Sequence, residues 1–84
     1  MKYRNKTDII AQMLESASGE SLTKTRIMYK AYVPREQIAY YLQLLVDNSL
    51  LHFDRETRHY ETTAKGRQFL DKYDYLHDCI VGII

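Results

Sequence analysis

Residues 24–37 read KTRIMYKAYVPREQ and hold the chain's single proline, Pro34. Proline suits the first turn of a helix, where its missing N–H has no partner to lose, and it drives the preceding residue out of helical geometry. A helix capped by Thr23 therefore stops near Tyr32, and another begins at Pro34. On the first, Ile27, Met28 and Ala31 share a face, while Thr25, Arg26 and Tyr29 point outward. On the second, Ile38, Leu42 and Leu45 form an apolar stripe with Tyr41 at its edge; Glu36, Gln37, Tyr40 and Gln43 lie opposite. Two helices separated by so few residues meet at a steep angle, the geometry of a helix-turn-helix. The glycine common in such turns is missing, so this reading rests on the proline and the periodicity.

Upstream, Thr7 or Asp8 offers a cap for a first helix carrying Ile9, Ile10, Met13, Leu14 and Ala17 at helical spacing, ended by Ser18 and Gly19. Downstream, Asn48 is the expected left-handed exit of the third helix. The period then changes. LLHFD (50–54) and HYETT (59–63) are β-branched and aromatic runs flanking RETR, which predicts a hairpin with a loop of four or five residues and Arg55 and Arg58 at its tip. Thr63 caps a last helix in which Phe69, Tyr73, Leu76, Ile80 and Ile83 fall at spacings of four, three, four and three, the seam of a short coiled coil. At about 30 Å, twenty helical residues outrun a domain this small. Its far half, from Tyr73 to Ile84, is therefore expected to meet a second chain.

The totals narrow the function classes. Eighty-four residues make one domain, and a net charge of +1 excludes a uniformly basic protein, so any nucleic-acid role must rest on local charge. The charge is sorted along the chain. Lys2, Arg4 and Lys6 open it, as a basic arm or a frayed terminus; Ser21 to Arg35 holds Lys24, Arg26, Lys30 and Arg35 without an acid; and Asp71, Asp74 and Asp78 face Lys72 alone near the end. One cysteine, Cys79, excludes an internal disulfide and fits a reducing cytoplasm. No signal peptide is visible, and the terminal IVGII is too short to span a bilayer. His77 and Cys79 lie two apart on a helix and diverge, so neither a metal nor another cofactor is expected. No nucleophilic triad or phosphate-binding loop appears, and an enzyme is not expected.

The expected fold is mainly α (α+β): a winged helix-turn-helix over 7–62 and a C-terminal dimerisation helix over 63–84. TKTRIMYKAYVPREQIAYYLQLLVDNSLL, followed by HYETTAKGRQFLDKYDYL, resembles the small archaeal winged-helix DNA-binding regulators, over roughly residues 7–80. The KTRIMYKA run and the spacing Tyr60-x-Thr62-Thr63-x-Lys65-Gly66 carry the resemblance most specifically. It implies a cytoplasmic, nucleoid-associated protein that acts as a transcription regulator or chromatin component, and a homodimer formed by antiparallel pairing of the last helix. The chain departs from the family pattern at Ser49, where a glycine generally stands, and in a hairpin tip without glycine.

The expected partners are double-stranded DNA and a second copy of the chain. The third helix, about 34–47, would enter the major groove with Arg35, Gln37, Tyr40 and Gln43 toward the bases. Lys24, Arg26 and Lys30 would face phosphates, although no single helical face can hold all three. Arg55 and Arg58 at the hairpin tip would reach backbone or minor groove. Phe69, Tyr73, Leu76, Ile80 and Ile83 would form the dimer seam. Eight tyrosines without a tryptophan also suggest stacking platforms for single strands, but Tyr41, Tyr60 and Tyr73 fall at core or hairpin positions, which favours a core or interface role. From a different class, near-neutral charge and Glu36 on the third helix are compatible with a protein-docking module that does not bind DNA.

Overall fold

The computed structural model describes residues 5–83, with side chains through Leu76. Its elements follow the order α1 (Lys6–Ser16), α2 (Lys24–Lys30), α3 (Arg35–Asp47), β1 (Leu51–Asp54), β2 (His59–Thr62) and α4 (Ala64–Ile83). This is the expected winged-helix arrangement, and its details show where local sequence rules were overridden.

The first helix starts earlier than expected. Asn5, rather than Thr7 or Asp8, is its cap: the Asn5 side chain accepts from the Asp8 N–H at 2.8 Å, and Asp8 accepts from the Asn5 N–H at 3.2 Å. This reciprocal pair satisfies two backbone donors that would otherwise be orphaned. Lys6 is therefore the first helical residue. Lys2 and Arg4 lie outside the described residues.

Both turns that replace a glycine are built the same way. After α2, the Tyr32 N–H bonds to the Tyr29 carbonyl and the Val33 N–H to the Met28 carbonyl, with Tyr32 at φ 55°. After α3, the Ser49 N–H bonds to Val46 and the Leu50 N–H to Leu45, with Ser49 at φ 62°. Each is a Schellman motif, in which the left-handed position usually falls to glycine. Asn48, the expected left-handed exit, instead has φ −95° and closes α3 as its C-cap. In both turns the residue after the left-handed position, Val33 or Leu50, is fixed by its backbone bond and by packing on the core. That anchoring holds tyrosine and serine in a conformation costing roughly 1 kcal/mol or more. Pro34 precedes α3 as its N-cap, one residue outside the expected start; its extended ψ of 145° turns the chain, and its carbonyl accepts from Gln37 and Ile38.

The hairpin pairs Leu51 with Thr62 and Phe53 with Tyr60, and residues 55–58 form the four-residue loop. Asp54 ties that loop by accepting from the Glu56 N–H at 2.9 Å, while Arg58 takes the left-handed turn position at φ 60°. The sequence reading missed a third partner. Leu22, between α1 and α2, exchanges two backbone hydrogen bonds with Tyr60, so β2 lies between β1 and a one-residue bridge.

The core gathers the apolar faces of α1, α2 and α3 with β1; Met13, Leu14, Ile27, Ile38, Leu45 and Leu51 are fully buried. Burying each such side chain contributes about 1.5–3 kcal/mol. Tyr41, expected at the edge, belongs to this core. A second lock joins hairpin to helices. Thr62 is buried, its hydroxyl donates to the Leu14 carbonyl at 2.6 Å, and its N–H bonds to the Ala17 carbonyl at 3.1 Å.

The last helix enters through the same junction. The Thr63 hydroxyl caps it by accepting from the Gly66 N–H at 3.0 Å and donates to the Ser49 carbonyl at 2.6 Å. Lys65 donates to the Asn48 carbonyl at 2.9 Å. Gly66 passes so close to the α3–β1 turn that a Cβ there would sit 2.4 Å from the Leu50 carbonyl oxygen and 2.6 Å from Thr62 Cγ2. Beyond this point α4 runs along α1. Phe69 and Leu70 pack on the core, and the Tyr73 hydroxyl donates to Asp8 in the first turn of α1. Past Tyr73 the helix outruns α1, and Tyr75 and Leu76 are exposed.

Candidate nucleic-acid interface

The outer face of α3 is less basic than its position suggests. Glu36, Gln37, Tyr40, Gln43 and Asp47 are exposed, and Arg35 at the first turn is the helix's one cation. Two of the expected reading side chains already have partners. Gln43 donates to Asp47 at 2.8 Å, and the Tyr40 hydroxyl accepts from the Lys6 ammonium at 2.7 Å. Lys6 also lies 5.1 Å from the Tyr40 ring centre. The hydrogen bond to Tyr40 raises the Lys6 pKa above its ordinary value. Lys6 thus joins the candidate face, a placement that no local pattern shows because thirty-four residues separate it from Tyr40.

Among the expected phosphate contacts, Lys30 is engaged with Glu20 at 3.0 Å, an exposed ion pair of small energetic weight that a phosphate can displace. Arg26 is exposed on α2. Lys24 sits centrally instead, lining a hollow of about 240 Å³ between α3 and the hairpin together with Ala39, Gln43, Val46, Phe53 and Tyr60. Arg35 shares with Lys24, Met28 and Tyr29 a second hollow of about 390 Å³ between α2 and α3. The hairpin's Phe53 and Tyr60 rings lie 4.6 Å apart on the face turned to the first hollow, and partial burial raises the Tyr60 pKa. Arg55 lines a further hollow beside Phe53, whereas Arg58 is exposed in the loop.

The expected dimer seam divides. Phe69 and Tyr73 are engaged within the chain, and the hydrogen bond to Asp8 is the main cause of a Tyr73 pKa raised to about 12. Leu76 is exposed beside Tyr75, and the side chains of Ile80 and Ile83 lie outside the described residues. So do those of His77 and Cys79. Among the described residues, no three His, Cys, Asp or Glu side chains gather as a metal site, and no helix is long and apolar enough to cross a membrane.

A winged helix-turn-helix family model matches residues 3–80. The chain belongs to the winged helix-turn-helix family. A similar solved structure is that of Sso10a-2, a DNA-binding protein from Sulfolobus solfataricus: it is 22% identical, with a TM-score of 0.83, over 95% of this chain and 85% of that one. No curated protein matches the sequence. This winged helix shares its fold with Sso10a-2 over nearly its full length.

Proposed function

We propose that this winged helix binds double-stranded DNA as a homodimer, as a transcription regulator or chromatin-associated protein. The observation that carries this reading is the cation arrangement around α3: Arg35 at its start, Lys24 and Lys6 on its two flanks, and Arg55 on the adjoining hairpin. A helix presented this way fits the major groove, and flanking cations meet the phosphates that position it. The DNA-binding character of the similar Sso10a-2 supports the same reading. Gln37 and Arg35 are the residues proposed to read base edges. Arg26, Lys30 and Arg58 contribute to the outer field, with Tyr40 and Gln43 available once they exchange their partners within the chain for DNA.

The dimer is proposed to form through the part of α4 that outruns α1, where Leu76 and Tyr75 are exposed and Ile80 and Ile83 continue the seam. Two copies related by a twofold axis would set two α3 helices on one duplex. The test is titration of a mixed-sequence duplex at several salt concentrations, with mass measured in the same buffers by light scattering. Affinity should fall steeply with salt for a species of dimer mass. Replacing Arg55 and Arg58 together by alanine removes two phosphate contacts from each protomer and should flatten the slope of the dimer by about 4, near one unit per lost contact. A dimer that ignores duplex DNA at low salt would return the fold to protein docking.

A further inference from the structure

The four hollows around α2, α3 and the hairpin are not separate. The one lined by Tyr32, Val33 and Arg35 shares Met28, Tyr29 and Arg35 with the hollow between α2 and α3; that hollow shares Lys24 with the one under the hairpin; and this in turn shares Val46 and Phe53 with the hollow reaching Arg55. Together they form one trench along the flank of α3. Cations and aromatic rings line it together: Arg35, Lys24 and Arg55 with Tyr32, Tyr29, Phe53 and Tyr60. Among the described residues, no Asp or Glu lines any of the four hollows, although Glu36 and Asp47 stand on the adjacent outer face of α3.

Two of these rings are largely exposed. Tyr29 is 64% exposed and Tyr32 79% exposed, so neither fills the core. Tyr32 also occupies the left-handed position of the α2 turn, at φ 55°, where glycine would relieve strain. Exposed rings set among cations are a surface that a ligand can use. Paired bases are already stacked on one another and cannot receive these rings. Unpaired bases can, and cations set among the rings can meet the phosphates of a single strand.

We infer that the trench beside α3 binds a segment of single-stranded DNA, its bases stacking on Tyr32, Tyr29 and Phe53 and its phosphates meeting Arg35, Lys24 and Arg55. DNA rather than RNA is assigned because the trench flanks the helix proposed to hold duplex DNA, so a strand opened from that duplex lies within reach. Single-strand binding stands on the trench itself and survives if duplex binding fails, whereas the assignment to DNA rests on the duplex reading.

The test compares a short oligothymidylate with a duplex of mixed sequence by fluorescence anisotropy, on the wild-type chain and on the double variant Tyr29→Ala, Tyr32→Gly. Neither position is in the core, and glycine suits the turn, so a thermal melt should show the variant folded. Loss of two stacking positions should weaken oligothymidylate binding by roughly tenfold or more while leaving duplex affinity and the single-strand salt slope unchanged. Tyr75→Ala, an exposed tyrosine on α4 away from the trench, should change neither. Equal losses on both ligands, an unchanged oligothymidylate affinity, or no wild-type binding to it at low salt would each overturn the proposal. Tighter binding of oligouridylate than of oligothymidylate would overturn the assignment to DNA.

Discussion

The two most distinctive runs of the chain have opposite fates. In residues 60–66 nearly every characteristic residue is engaged within the chain. Tyr60 bridges to Leu22, Thr62 bonds Leu14, Thr63 caps α4 and ties Ser49, Lys65 binds the Asn48 carbonyl, and Gly66 fits against Leu50. In residues 24–35 only the apolar positions are buried, and Lys24, Arg26, Tyr29, Tyr32 and Arg35 are left at the surface. A run can therefore be specific in sequence because it is a joint, with no ligand involved. The run that keeps its cations and rings at the surface is the better candidate for binding.

Substitutions in the joint should break the fold, whereas those at the surface run should spare it. The largest effect is expected at Gly66→Ala. The added methyl meets backbone oxygen, which cannot rotate away, so a loss of about 2–3 kcal/mol should appear as a lower urea midpoint. Next comes Thr62→Val, which keeps the shape but leaves the buried Leu14 carbonyl without its side-chain donor, at a cost of about 1–2 kcal/mol in the same assay. If either is tolerated within experimental error, the joint is looser than these contacts imply. Lys24→Ala should leave the urea midpoint within about 0.5 kcal/mol, because the side chain is exposed.

A smaller effect sharpens the comparison through the turns. Ser49→Gly should stabilise by about 0.5–1 kcal/mol, since relief of left-handed strain exceeds glycine's extra entropy in the unfolded chain. No change in midpoint would mean that other contacts offset the strain. The smallest effect concerns the docking of α4 on α1 through Tyr73 and Asp8. In the folded chain the Tyr73 pKa is raised to about 12 from an ordinary value near 10. Above pH 10 the unfolded chain loses this proton while the folded chain keeps it. The stabilisation is therefore complete below pH 10 and declines as pH rises toward 12. Tyr73→Phe should remove that part of the decline, which is read as the difference between the two stability–pH curves. Parallel curves would detach Tyr73 from the docking.

Much of the fold was legible because its signals are local. Proline geometry separates α2 from α3, helical periodicity marks Ile38, Leu42 and Leu45, and the change of period at Leu51 announces the hairpin. Thr23 and Thr63 were readable as caps because a cap acts within three residues of itself. The misses are also physical. Asn5 outcompeted Thr7 because Asp8 completes a reciprocal pair with it. Ser49 rather than Asn48 took the left-handed place because Leu50 had to reach both the core and the Leu45 carbonyl. The candidate interface was less legible. The sequence named Lys24, Arg35 and Arg55, but gave no sign that Lys6 would sit against Tyr40, that Lys30 would meet Glu20, or that the surface tyrosines would share hollows with the cations.

Composition, periodicity and one proline by themselves determined a winged helix with a long final helix and an uneven distribution of charge, because those properties depend on neighbours along the chain. Which side chains face one another across the fold was decided only in three dimensions. The Thr62–Leu14 lock, the third partner at Leu22, the division of α4 at Tyr73 and the acid-free trench all join residues far apart in sequence. Their partners are chosen by packing, and packing has no period that a linear reading can follow.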